Sequence, residues 1–148
     1  MRFTVPSIVS LAALSSAAAV VPRADYGYWD FSSSVTYPVS NYKSWHVSAV
    51  YYNTELAAPI NVTCSHRELL TEEGRKTEDS CSDPSFTYDF GGVGQARTTT
   101  NVTLRQTVDL WGEKVTISGT EEFFWDFSGG AGFTGRTQGK IDVDSAIA

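Results

Sequence analysis

Strict alternation is the feature that most constrains this chain. In WHVSAVYY (45–52), Trp45, Val47, Ala49 and Tyr51 fall on one side, and His46, Ser48, Val50 and Tyr52 on the other. INVTC (60–64) sets Ile60, Val62 and Cys64 against Asn61 and Thr63, and SFTYDF (85–90) sets Phe86, Tyr88 and Phe90 against Thr87 and Asp89. NVTLRQTVDL (101–110) sides Val102, Leu104 and Val108 against Asn101, Thr103, Arg105 and Thr107, and KVTISG (114–119) does the same with Val115 and Ile117. A period of two, rich in Val, Thr, Ile and aromatics, is the pattern of a half-buried antiparallel strand. EEFFWDF (121–127) is apolar on both faces, and TQGKIDV (137–143) resumes the alternation.

Breakers separate these runs: AAP at 57–59, SDP at 82–84, GGVG at 91–94, LWGEK at 110–114 and SGGAGFTG at 128–135. YGYWDFSSSVTYPV (26–39) reads as an aromatic first strand running into a Ser-rich turn. Only HRELLTEEGRKTEDS (66–80) could hold helix, and Gly74 with the crowded charges makes a long loop an equal reading. Seven or so short strands predict an all-β fold, a compact antiparallel β-barrel or β-sandwich, as a single domain over 26–148.

The first residues predict a secreted product. MRFTVPSIVSLAALSSAAAVV carries one positive charge, Arg2, then an apolar run, then the small residues Ala17-Ala18-Ala19. That is the layout of a signal peptide over 1–19, with 20–25 as a short propeptide or flexible start. No second apolar run follows, so membrane insertion is not expected. The whole chain has net charge −6, and loss of Arg2 and Arg23 makes it more acidic. With no basic run, nucleic acid is a poor partner.

Two cysteines are present, Cys64 and Cys81. In an oxidising compartment an even pair with nothing else to bond predicts one disulfide. Closing that loop stabilises the fold by about 3 kcal/mol on the chain-entropy model. Asn61-Val62-Thr63 and Asn101-Val102-Thr103 are glycosylation sequons with both acceptors on the polar side of their strands.

Motifs that carry chemistry are missing. His46 and His66 are the two histidines, too few and too far apart for a zinc set, and His66 is expected in a loop beyond the strand. There is no G-x-S-x-G elbow, and Glu121 and Glu122 are strand neighbours facing opposite sides, so they cannot flank one glycosidic bond. The glycine-rich turns lack a Walker lysine. No catalytic residue, metal or cofactor is expected. The aromatic content exceeds what a core strictly needs, and Trp29, Trp45, Tyr52, Phe124 and Trp125 are candidates for a binding surface or pocket.

The order of these segments carries a resemblance: an aromatic start YGYWDFSSSV, a Trp-led WHVSAVYYNTELAAPINVTCS, a charged stretch to DSCSDPSFTYDF, then NVTLRQTVDLWGEKVTISGT and a return to GRTQGKIDVDSAIA. In this the chain resembles the secreted fungal β-barrel family typified by the Alternaria major allergen, which includes hypersensitive-response-inducing proteins of plant-associated fungi. The resemblance implies a compact antiparallel barrel, secretion, no enzymatic activity and a role at the plant or host interface. Cys64 and Cys81 match that family's first intrachain bridge. The further cysteines that give its allergens a second disulfide and a covalent dimer have no counterpart here, which leaves a monomer or a non-covalent dimer.

The functional expectation is a secreted, non-enzymatic effector or elicitor-like protein that binds a host extracellular protein. The alternative is a carrier that holds a small apolar or phenolic ligand in an aromatic-lined barrel pocket. A secreted hydrolase is the third class, and it has no motif behind it.

Overall fold

The computed structural model describes residues 25–37, 42–94, 96–129 and 133–148. The signal peptide expected over 1–19 and, apart from Asp25, the short segment expected over 20–25 lie outside those residues. Nine strands follow one another: β1 (Tyr28–Thr36), β2 (Tyr42–Tyr52), β3 (Ile60–Thr71), β4 (Gly74–Cys81), β5 (Thr87–Asp89), β6 (Thr99–Leu110), β7 (Glu113–Phe124), β8 (Thr134–Asp142) and β9 (Ser145–Ile147). They form two antiparallel sheets, one ordered β4-β3-β2-β1-β8 and the other β5-β6-β7-β9. The sheets do not close into a barrel, so of the two expected architectures the sandwich is the one adopted.

The alternation explains the packing. Trp29, Phe31 and Val35 of β1, Val47, Ala49 and Tyr51 of β2, and Val62 and Cys64 of β3 turn inward. They meet Val102, Leu104, Val108 and Leu110 of β6 with Val115, Ile117 and Phe123 of β7. Phe86, Phe90, Val93 and Trp125 come from connecting segments and fill the ends of the same core. One polar side chain is buried among them without exposure, Gln106. Its amide accepts from Trp29 Nε1 at 3.0 Å and donates to Asp83 Oδ2 at 2.9 Å, so both sheets and the 82–86 turn share one network. Trp125 Nε1 likewise donates to Thr100 Oγ1 at 3.0 Å. A buried polar group keeps its low cost only when paired in this way.

One side of the sandwich is stitched together. Asp126 and Arg136 exchange backbone hydrogen bonds of 2.8 and 2.9 Å, and Asp144 N donates to Ser118 O at 2.9 Å. Gly119 permits that approach, because a Cβ there would lie 2.2 Å from Asp142 O. At the far end, Trp111 and Gly112 make the two-residue turn between β6 and β7 with φ of 53° and 80°. That left-handed pair matches the twist of a hairpin, and Gly112 supplies half of it without strain.

Two expectations need correction. The serines of 32–34 are not a turn: β1 runs through them to Thr36, held by β2 on one side and β8 on the other. Residues 66–80 are neither helix nor loop but the outer half of a β3–β4 hairpin, turning at Glu72-Glu73. His66 therefore lies within β3, opposite Asp79.

Candidate functional site

The most organised surface is the outer face of the five-stranded sheet. With Trp29, Phe31, Ser33 and Val35 inward, Ser32 and Ser34 of β1 must point outward. The register then places whole rows of side chains across the strands. One row runs Ser80, Ser65, His46, Ser34, Arg136, and the next runs Thr63, Ser48, Ser32, Gln138. A third, from Asn61 through Val50 and Asp30 to Lys140, adds a pair of opposite charges.

Short side chains in the middle and long ones at the margins hollow this face. A groove of about 730 Å³ lies over the first two rows, and Phe124, Asp126 and Arg136 form its wall beside β8. A second hollow of about 460 Å³ shares Ser32, Ser48 and Gln138 with it and continues to Asp30 and Lys140. Ser33, on the inner side, spends its hydroxyl on His46 O at 2.7 Å. Ser32, Ser48, His46 and Gln138, by contrast, find no side-chain hydrogen-bond partner among the described residues, and all four are exposed. Charge on the wall is fixed in place. Hydrogen bonds from Ser128 hold the Asp126 carboxyl below the usual carboxylate range, with Arg136 adding to the effect. The Asp142 carboxylate raises the Lys140 ammonium above its ordinary value, and Lys140 sits 4.4 Å from the centre of the Tyr28 ring.

The five expected aromatics separate by depth. Trp29 and Trp125 are wholly buried and hydrogen-bonded inside the core, so neither offers surface to a ligand. Phe124 is 65% exposed at the groove wall. Tyr52 stacks on Tyr28 at 5.2 Å between ring centres, beside a cleft of about 370 Å³ whose other walls include Leu56, Ala57, Ala58 and Pro59. Trp45 is half-buried at the opposite end.

Trp45 belongs to a compact cluster of side chains that are far apart in the sequence. The His66 ring stacks on its indole at 3.6 Å, nearly parallel, and Trp45 Nε1 donates to Tyr88 Oη at 2.9 Å. His66 Nδ1 pairs with Asp79, while Nε2 is buried without a partner among the described residues. A carboxylate only accepts, so Nδ1 is the ring nitrogen that donates in this pair. Burial raises the Tyr88 phenol. The disulfide closes one wall of this recess, with Cys64 and Cys81 directly opposite in register and 4.1 Å apart at Cα. Among the described residues no three His, Cys, Asp or Glu side chains gather as a metal set.

Asn61 and Asn101 are both exposed, on the outer faces of different sheets. Asn61 lies on the same face of β3 as Thr63, two residues along the strand from that lining residue of the groove. Trp111, 52% exposed at its hairpin tip and packed edge-on to Tyr26 at 5.7 Å, was not among the expected binding residues. Its signal was the large apolar residue before Gly112 in a turn that favours Asn or Asp there. Comparisons of the chain with protein-family models, curated proteins and solved structures return no match.

Proposed function

We propose that this chain is a secreted, non-enzymatic binding protein of the allergen-like, elicitor kind, and that it engages a host extracellular component through the grooved face of β4-β3-β2-β1-β8. The observation that carries this reading is the double row of outward polar side chains, from Thr63 to Gln138 and from Ser80 to Arg136. Polar groups free of internal partners are available to hydrogen-bond a partner, and the exposed Phe124 gives the wall an apolar contact. Infiltration of the purified mature protein into plant leaves tests it. Cell death or altered defence signalling is expected, and S48R, which fills the groove centre, should abolish it. No response to the unmodified protein at any dose would sink the reading.

The Tyr28–Tyr52 cleft supports a second reading, in which a small apolar or phenolic molecule binds at the surface. Its volume of about 370 Å³ lies at the lower end of the range for small-ligand sites. Titration with such compounds should give a saturable change in intrinsic fluorescence that Y52A removes. A linear response would eliminate it.

A further inference from the structure

β4 is an open edge. β3 flanks it on one side, and no other described strand pairs with it. Every residue from Gly74 to Ser80 is exposed. Ser82 N donates to Thr63 O at 2.9 Å, and bonded pairs alternate along an antiparallel ladder. The bonded pairs farther out are therefore Ser65 with Ser80, Arg67 with Glu78 and Leu69 with Lys76. The backbone N–H and C=O groups of Arg75, Thr77 and Asp79 consequently point away from the sheet.

The side chains on this edge read Arg75-Lys76-Thr77-Glu78-Asp79, a charge order that is self-complementary about Thr77. We propose that β4 is a homodimer edge, at which two copies of this chain pair antiparallel about a twofold axis through Thr77. In that register the outward backbone groups of Arg75, Thr77 and Asp79 bond across the axis. Lys76 then faces Glu78 of the partner subunit, and Arg75 faces Asp79 of the partner subunit. Opposite charges directly across an antiparallel pair are favourable, and like charges there are unfavourable.

The neighbouring registers fail by the same rule. Shifting the axis to residue 76 opposes two lysines, and shifting it to residue 78 opposes two glutamates. Charged edge strands ordinarily deter sheet extension. Here the same charges deter every register near this one and admit a single closed, isologous contact. Within the subunit Arg75 already reaches Glu68 at 3.3 Å, and Asp79 holds His66. Lys76 has only a marginal contact of 4.0 Å with Glu73, and both are largely exposed. Lys76 and Glu78 therefore carry the selectivity.

Sedimentation velocity of the mature chain, from micromolar to millimolar at physiological ionic strength, tests the proposal. A concentration-dependent dimer is expected. K76E and E78K should each weaken it by about tenfold or more, and an equimolar mixture of the two should form a heterodimer, because acid then faces base at both contacts. T77P removes the central hydrogen bonds without touching the β3 ladder, since that N–H points outward, and it should be monomeric with an unchanged circular dichroism spectrum. A monomer throughout the range overturns the proposal. So does a dimer that K76E and T77P leave intact, or a charge-swapped mixture that fails to associate.

Discussion

Gln106 gives the two sheets a fully buried polar contact in the core. Its carboxamide accepts from Trp29 and donates to Asp83, and both neighbours lose a partner when it is removed. Q106L should destabilise the fold by about 1–3 kcal/mol in urea unfolding, because it leaves the Trp29 N–H buried and unpaired. Its phase was readable, since it continues the inward set Val102, Leu104 and Val108. Its role was not, because the partner that justifies a buried amide lies 77 residues away. Asp83 gives a pH test. Burial alone would raise its carboxyl, but hydrogen bonds from Gln106 and Ser85 outweigh that and hold it below the ordinary carboxylate value. The folded state therefore binds this proton less readily than the unfolded one. Its stabilisation is complete above about pH 4 and is lost as pH falls through the lower folded value. Melting temperature should drop on acidification in that window, and the drop should be shallower in D83N.

At the scale of elements, the β3–β4 hairpin is held by register, by the bridge and by side-chain pairs rather than by burial, since β4 is exposed almost throughout. Replacing both cysteines, as C64A/C81A, should cost about 2–4 kcal/mol in denaturant unfolding. Amide exchange should accelerate first in β4, which is exposed from Gly74 to Ser80. The hairpin was illegible in the sequence for the same reason. A strand with no apolar face shows no period of two, so 66–80 read as a helix or a long charged loop. Ser32 to Ser34 misled in the opposite direction. Hydroxyl residues favour turns when alone, but these are flanked by β2 and β8, and the paired backbone outweighs the local preference.

Across the whole molecule, the groove and the Asn61 sequon share one face while Asn101 lies on the other sheet. If a glycan occupies Asn61, N61Q should strengthen the leaf response or partner capture, and N101Q should leave both unchanged. Equal effects of the two variants would separate the sequons from the groove. The stitched side offers a further test: G119V places a side chain against Asp142 O and should lower the melting temperature by more than any exposed substitution on the groove face. The alternation of Trp45 to Tyr52, Ile60 to Cys64 and Asn101 to Leu110 was sufficient to determine strands, their inward faces and an all-β core, because side-chain period is a local property of extended backbone. The cysteine pairing was likewise legible, because a chain expected in an oxidising compartment offers its two cysteines no other partner. Sandwich rather than closed barrel, the stacking of His66 on Trp45, the burial of Trp29 and Trp125, and the rows that hollow the outer face were decided only by tertiary structure. Each depends on which strands lie side by side and in what register, and those pairings join residues far apart in the chain.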